Sequence, residues 1–203
     1  EDSVKNPRTL YAQSKLIAEN IVKEICKNSG YIIVRPLFCY GGIGDMNSLI
    51  AKCIFNSFFI KKKFKMFLNP NKFKSYMYVD DFVTQLFLLI IENFSKAVNQ
   101  EFNIGNNEKM FVYEIIKILE EKNIDCKYIE WISETDYLGN HLIDSTKINN
   151  VTNFIPSISI NNGIDYAIKE IKEYAGQYNP FYFLELANKN NFNLIQHFPI
   201  INI

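Results

Sequence analysis

Two residues near the start of the chain, Tyr11 and Lys15, have the types and the spacing of an acid–base pair. They belong to the segment Tyr11-Ala-Gln-Ser-Lys15, which runs into the apolar residues Leu16, Ile17 and Ile21 at helical spacing. Residues four apart on a helix lie one above the other on the same face, so the lysine ammonium can reach the phenol. A nearby positive charge favours the phenolate, which could exchange a proton with a substrate alcohol or ketone.

The same spacing occurs a second time, at Tyr113 and Lys117 on another predicted helix. Two such matches in a chain rich in tyrosine and lysine are what chance produces. The motif by itself therefore leaves two interpretations open. One is an acid–base pair, and the other is a surface helix with a stacked pair that contributes a few tenths of a kcal/mol.

The composition describes a chain that can fold around an apolar core. It has 203 residues, of which 48% are hydrophobic and 15% aromatic, and its formal net charge is zero. This predicts one domain, or a domain with an added lobe. No apolar run is long enough to cross a bilayer and no secretory signal is present, so we expect a cytoplasmic protein without membrane contact. The four cysteines and two histidines are scattered, which predicts reduced thiols and no metal site.

Helical and strand patterns alternate in the manner of a parallel α/β sheet. The first helix should open at Pro7 and Thr9 and end near Gly30, and a glycine-rich loop covers 40–45. Strands are predicted at 31–34, 75–79 and 101–104, and further helices at 47–58, 80–91 and 112–122. The strand at 31–34 should be buried on both faces, because its apolar run is continuous. Asp80 and Asp81 suit the cap of the third helix.

Four segments and their order carry a family resemblance. They are Tyr11-Ala-Gln-Ser-Lys15, Ile33-Val34-Arg35-Pro36 leading into Tyr40-Gly41, Tyr78-Val79-Asp80-Asp81, and Phe102-Asn103-Ile104-Gly105. In this order they resemble the extended short-chain dehydrogenase/reductase family, in its nucleotide-sugar epimerase and dehydratase branch. The resemblance continues through 144–147 and 154–156 to the helix of Gly163, and so covers residues 1–175. The tail, 176–203, is unassigned.

The resemblance implies an α/β fold, namely the C-terminal part of a Rossmann-type parallel sheet with a smaller substrate-binding lobe. It implies NAD or NADP as cofactor, a nucleotide sugar as substrate and a homodimer as the assembly of the full-length enzyme. Tyr11 would be the general acid or base. Lys15 would hold the nicotinamide ribose and favour the phenolate, so that both residues also belong to the cofactor site.

The resemblance also implies further contacts. Leu37 would lie beside the cofactor and Phe38 beside the substrate, although many members have asparagine in place of this phenylalanine. Lys74 stands where relatives place an arginine on the substrate pyrophosphate; it keeps the charge and gives up the two-pronged geometry. Ser48 is a lesser substrate candidate. Ser133 falls where many relatives have a second arginine, so that contact is expected to be missing.

Lysines are concentrated in one segment, which has no acidic residue between Met46 and Tyr78. The segment holds Lys61, Lys62, Lys63, Lys65, Lys72 and Lys74. A solvated face is the plain interpretation of such a cluster. Nucleic-acid binding is disfavoured by the neutral overall charge.

The chain contains no Gly-x-x-Gly-x-x-Gly fingerprint for a cofactor pyrophosphate. The glycines at 41, 42 and 44 follow the wrong strand, because they come after the Tyr11 helix. We therefore expect the C-terminal part of a longer enzyme, inactive on its own, that acts as an epimerase, dehydratase or reductase. The alternative is a non-catalytic binding fragment without a dinucleotide site.

Overall fold

Helices alternate with short strands along the chain, whose computed structural model describes residues 1, 3–42, 48–132 and 139–177. The helices are α1 (Leu10–Ile25), α2 (Leu49–Phe55), α3 (Val79–Phe87), α4 (Phe94–Ala97), α5 (Val112–Glu121), α6 (Thr146–Thr152) and α7 (Ile160–Gln177). The strands are β1 (Ile32–Pro36), β2 (Cys39–Tyr40), β3 (Phe64–Met66), β4 (Phe73–Lys74), β5 (Met77–Tyr78), β6 (Gln100–Ile104), β7 (Met110–Phe111) and β8 (Ile129–Trp131). Wider π-helical turns extend α2 over Asn56–Ile60 and α3 over Leu88–Glu92.

The described strands form four pairings, three parallel and one antiparallel. β1 pairs with β6, β2 with β5 and β3 with β8, all in parallel, whereas β4 and β7 are antiparallel. The pairing of β1 with β6 is the longest and runs from Ile32 opposite Gln100 to Pro36 opposite Ile104. The parallel pairing of strands separated by helices in the chain confirms the predicted α/β organisation. No helix in the described ranges is both long and apolar enough to cross a membrane.

Two apolar cores lie on different parts of this framework. The smaller one lies against β1 and β6 and contains Met77, Leu89, Phe102, Ile104 and Ile148. The larger one joins α2, α5 and α7 around the ends of β2 and β5. The first core supports the strands that follow α1, and the second supports the segment in which most of the predicted substrate contacts lie.

β1 is less buried than its apolar run predicts. Within this strand, which is described throughout, only Ile33 is buried, and Ile32 and Val34 are partly covered by the smaller core. Because side chains alternate along a strand, Ile33 and Arg35 share the opposite face. On that face the partly exposed Arg35 reaches α1, and on the other face the smaller core covers Ile32 and Val34 only in part, which explains the difference from a strand buried on both faces.

The prediction for Asp80 and Asp81 is right about their place at the N-terminus of the third helix and wrong about a capping hydrogen bond. The helix begins at Val79, which puts both aspartates in its first turn, and the side chain of Tyr78 at the cap position makes no capping bond to a described residue. The buried carboxylate of Asp81 accepts hydrogen bonds from the backbone of Ser157 (3.0 Å) and Ile158 (2.8 Å). Asp81 thus ties α3 to the segment before α7.

Candidate active site

The predicted acid–base pair lies on the exposed face of α1. Thr9 starts the helix, because its hydroxyl accepts a hydrogen bond from the backbone of Ala12 at 3.1 Å. Tyr11 is 62% exposed, and Lys15 is exposed as well. The Lys15 Nζ lies 5.3 Å from the centroid of the Tyr11 ring, within the range of a cation–π contact. The two functional groups are therefore neighbours and open to a ligand.

A network of five charged side chains attaches α1 to the sheet. The Arg35 guanidinium donates two hydrogen bonds to the Glu19 carboxylate, at 2.6 and 2.7 Å, and a third bond to Glu101. Lys5 lies 3.2 Å from Glu19 and 3.1 Å from Glu101, and Lys23 also binds Glu101. Arg35 belongs to the segment Ile33-Val34-Arg35-Pro36, whereas Glu19 follows the segment Tyr11–Lys15 along the first helix. Only the spacing of Glu19, one helical turn beyond Lys15, could have hinted at the link.

The network keeps both carboxylates ionised. The hydrogen bond from Arg35 lowers the pKa of Glu19 against the opposing effect of burial, and the hydrogen bond from Lys5 lowers this pKa further. Burial alone would raise the pKa of Glu101, but the hydrogen bonds from Lys23, Arg35 and Lys5 outweigh it and lower the pKa to about 2. The attachment of α1 is therefore fully charged near neutral pH.

The second Tyr–Lys spacing has a different environment. The Tyr113 ring stacks on Phe111, with centroids 5.3 Å apart. Lys117 pairs with the exposed Glu121 one turn further along, at 3.9 Å. This is the surface-helix interpretation that the spacing alone left open, and it makes the second pair a natural control for the first.

Leu37 and Phe38 lie just beyond the carboxyl end of β1, where ligands bind in open α/β sheets. The Leu37 backbone donates a hydrogen bond to the Ile104 carbonyl at 3.1 Å, which extends the pairing of β1 with β6. Phe38 has a φ of 41° and accepts a hydrogen bond from the backbone of Met77 at 3.2 Å. Bonds to two neighbouring strands thus hold this segment in position.

Phe38 and Lys74, two of the predicted substrate contacts, lie next to each other, and the lysine is completely buried. Its Nζ lies 5.4 Å from the centroid of the Phe38 ring and donates a hydrogen bond to the Gly139 carbonyl at 2.6 Å. A substrate diphosphate would have to share the ammonium with that carbonyl. The contact of Lys74 with a diphosphate stays a prediction.

Two aromatic residues lie beside Phe38 that the sequence does not predict as its neighbours. The His141 ring lies edge-on to Phe38, with centroids 6.1 Å apart, and Tyr76 lies at 6.0 Å. The backbone of His141 also bonds to the Phe73 carbonyl at 3.0 Å, next to Lys74. Because His141 is distant from Phe38 in the chain, no spacing in the sequence points to this contact.

Ser48 lies at the start of α2. Its hydroxyl accepts a hydrogen bond from the backbone of Ala51 at 3.3 Å, so it caps the helix. A contact with substrate stays a prediction. Ser133 and residues 43–45 of the glycine-rich loop lie outside the described residues.

A second group of tyrosines lies between the ends of β2 and β5 and helix α7. Tyr78 donates a hydrogen bond to Glu170 at 2.6 Å, and the other oxygen of that carboxylate accepts the backbone N–H of Gly42 at 2.7 Å. Burial raises the pKa of Tyr40, with a contribution from the charge of Asp81. Burial also raises the pKa of Tyr78, helped by its bond to Glu170. Both phenols therefore stay protonated near neutral pH, and the Tyr78 phenol links β5 to α7 through its bond to Glu170.

The described residues fit one end of a dinucleotide. Tyr11 and Lys15 present a phenol and an ammonium to the solvent, which can form hydrogen bonds with ribose hydroxyls, and Leu37 follows the carboxyl end of a parallel strand. The turn at Gly42 does not fit the pyrophosphate, because its N–H is bound to the Glu170 carboxylate and a second anion there would be repelled.

Comparisons with known proteins show the family and the fold of the chain. The family described as NAD dependent epimerase/dehydratase matches residues 1–105. No curated protein matches the chain significantly.

Several solved structures share the fold. Among them are dTDP-glucose 4,6-dehydratase from Bacillus anthracis in complex with NAD (19% identity, TM-score 0.73) and UDP-glucuronic acid 4-epimerase from Bacillus cereus in complex with UDP-glucuronic acid and NAD (20%, 0.75). A third is UDP-glucose 4-epimerase from Thermotoga maritima with UDP-glucose (20%, 0.70). They match 89%, 86% and 86% of this chain, which spans 57%, 56% and 60% of theirs. The predicted Rossmann-type fold class is confirmed.

Proposed function

Because the chain belongs to the NAD dependent epimerase/dehydratase family, as its motifs predict, we propose that it is the proton-transfer and substrate-binding part of an enzyme that modifies a nucleotide-linked sugar. The observation that carries the proposal is the exposed contact of Lys15 with Tyr11. The proposal covers epimerisation, dehydration and reduction, because each includes a step in which a sugar alcohol and a ketone interconvert.

In that step Tyr11 moves the proton. Its phenolate oxygen accepts the proton of a sugar hydroxyl while the hydrogen on the same carbon leaves as hydride, and in the reverse direction it returns the proton to the ketone oxygen. Lys15, whose ammonium lies over the Tyr11 ring, would hold the nicotinamide ribose by donating hydrogen bonds to its hydroxyls. Leu37 would border the nicotinamide. NAD or NADP supplies the hydride acceptor when bound.

The residues proposed to hold the substrate are Phe38, Ser48 and Lys74. The partly exposed Phe38 ring offers an apolar face for the sugar, and His141 borders this ring. Lys74 supplies the positive charge for the diphosphate from behind the ring. The sugar nucleotides named with the similar structures carry this diphosphate, which supports a nucleotide diphosphate sugar as substrate.

Replacing Tyr11 by phenylalanine in the full-length parent enzyme tests the proton-transfer role. General acid–base catalysis contributes about 10²–10⁴-fold, so we expect Tyr11→Phe to lower kcat by that factor. Turnover of UDP-glucose, UDP-glucuronic acid and dTDP-glucose would be followed together with NADH formation. Tyr113→Phe is the matched control and should leave kcat unchanged. Equal activity of both variants would refute the assignment of Tyr11.

A second candidate concerns the 203-residue chain by itself. The described residues lack a free pyrophosphate cradle at Gly42, and the chain spans little more than half of the similar structures. We propose that this chain alone is inactive and is a binding fragment, with affinity for nucleotide sugars and none for the dinucleotide. Calorimetric titration with NADH and with UDP-glucose separates the two candidates. Saturable NADH binding would reject the fragment interpretation.

We further propose that the full-length enzyme is a homodimer. The outer face of α1 presents Ile17, Ile21 and Ile25, which are 58%, 51% and 76% exposed. Apolar side chains at this spacing form a stripe that suits burial against a second helix. Light scattering on the full-length enzyme should give twice the mass of the polypeptide. Replacing Ile21 by glutamate should shift it toward the monomer.

A further inference from the structure

Helix α1 is attached to the rest of the fold by charge rather than by apolar burial. This helix, which the structure describes in full, contains no buried residue. Its side-chain bonds to the sheet come from Glu19 and Lys23, which reach Arg35 on β1 and Glu101 on β6. We propose that Arg35 and Glu101 are positioning residues, which set the orientation of the Tyr11–Lys15 pair through Glu19. The inference rests on the proposed function.

The geometry at Arg35 defines an orientation as well as a distance. Its Nε and one terminal nitrogen bind the two oxygens of Glu19, at 2.6 and 2.7 Å, and this two-pronged contact resists rotation of the carboxylate. The guanidinium is itself held by Glu101. Since Glu101 lies opposite Ile33, its side chain shares the face of the sheet that carries Arg35. The anchor therefore spans two paired strands.

Glu19 transmits this orientation to the reactive pair. It lies four residues beyond Lys15 and eight beyond Tyr11, so the three side chains occupy neighbouring positions along one side of α1. A side chain extends about 6 Å from the helix axis, so a rotation of about 10° displaces its end by about 1 Å. A misplacement of that size costs about 10²-fold in rate. Thr9 caps the helix end but does not bind the sheet through its side chain.

Each carboxylate in the network has more than one cationic partner. Glu19 is bound by Arg35 and Lys5, and Glu101 by Arg35, Lys5 and Lys23. Their side chains are only 16% and 21% exposed, so solvent screens these pairs less than it screens ordinary surface ion pairs. Lys5 precedes α1 and Lys23 lies in its last turn, so both ends of the helix are held.

The test uses the full-length enzyme with Arg35→Met, Arg35→Lys and Tyr11→Phe measured together. We expect Arg35→Met to lower kcat by about 10²-fold while the KM for the nucleotide sugar changes by less than about threefold. Arg35→Lys keeps the charge without the second prong and should restore part of the loss. The control is Lys122→Met, which breaks the ion pair with Asp165 (2.7 Å) between α5 and α7 and should not change kcat.

The outcomes separate the two proposals. If Tyr11→Phe abolishes turnover and both Arg35 variants keep the normal kcat, the positioning role is wrong and the proposed function stands. If Tyr11→Phe is fully active, the proposed function itself fails.

A second measurement is independent of turnover and does not need Arg35→Met to fold in the enzyme. In the 203-residue chain, amide hydrogen exchange in α1 should accelerate at least about tenfold in Arg35→Lys or Glu101→Gln, with α5 unchanged. Unchanged protection of α1 in both variants would overturn the inference.

Discussion

Replacing Gly163 by alanine should destabilise the chain, although the same change favours the helix that contains it. Gly163 lies in the second turn of α7, against the two tyrosines at the ends of β2 and β5. A Cβ atom there would lie 2.1 Å from the Tyr40 Oη, 2.9 Å from its Cζ and 3.0 Å from the Tyr78 Cδ2. Ordinary contacts between such atoms are about 3.5–4.0 Å.

The expected net loss follows from two opposing terms. Tyr40 is 3% exposed and packs on Tyr78, with ring centroids 5.5 Å apart, so it has little room to move by the more than 1 Å that the new methyl group requires. Overpacking of this kind costs about 1–3 kcal/mol, and the severity of the clash puts it in the upper part of that range. Alanine regains up to about 1 kcal/mol of helix propensity. We expect a net loss of about 1–2 kcal/mol.

Urea unfolding followed by fluorescence of the single tryptophan, Trp131, measures this loss, because Trp131 packs against the core that contains Tyr40. A chain of this size should also lose about 3–6 °C in Tm. Asn162→Ala is the matched control on the exposed side of the same helix. It adds helix propensity without a clash and should raise stability slightly.

A double-mutant cycle identifies the clash. The Tyr40 hydroxyl is buried and has no hydrogen-bond partner among the described residues, so Tyr40→Phe should be neutral or slightly stabilising. Because this change removes the nearest atom, Gly163→Ala should cost at least about 1 kcal/mol less in the Tyr40→Phe background. If Gly163→Ala raises stability, or if the two changes are additive, the packing argument is wrong.

Two further predictions concern acid and thiols. The pKa of Glu101 is about 2 in the fold, against 4.5 ordinarily, so its contribution to stability should be complete above about pH 4.5 and should disappear as the pH falls to about 2. Over that range the free energy of unfolding should fall less steeply with decreasing pH in Glu101→Gln than in the unchanged chain. An unchanged slope would contradict the assignment. Cys53 and Cys126 are buried, and the hydrogen bond between the two thiols, together with burial, raises the pKa of Cys53. A thiol reagent should therefore label the partly exposed Cys26 and Cys39 first, as followed by peptide mass spectrometry. Labelling of Cys53 at the same rate in the native chain would refute this.

Features that depend on neighbours in the chain were predictable. Thr9 was expected at the opening of the first helix and caps it, and Lys15 was expected over Tyr11 and lies there. Most of the predicted helices and strands lie within a few residues of observed ones, whereas the short elements β2, β3, β4, β7, β8, α4 and α6 were not predicted. The family motifs also pointed to the right fold, because they mark points where strands end and helices begin.

Features that depend on distant segments were not predictable. Asp81 looks like a helix cap in the sequence, yet it binds backbone groups of Ser157 and Ile158, more than seventy residues away. Lys74 ends a run of lysines whose other members are largely solvent-exposed, but it is buried under Phe38 and bound to Gly139. The residues next to Asp81 and Lys74 in the chain do not indicate these distant contacts.

The sequence by itself determined that a phenol and an ammonium stand together, because helix geometry alone converts a spacing of four residues into a contact. Tertiary structure decided which distant residues hold the helix that carries this pair. The bridge from Glu19 through Arg35 to Glu101 forms only after β1 and β6 have paired, and Lys74 reaches Gly139 only after the segment beyond β8 has returned to β4. The physical reason is that a helix is built from local hydrogen bonds, whereas the partner of a buried charge is set by which distant segments the folded chain brings together.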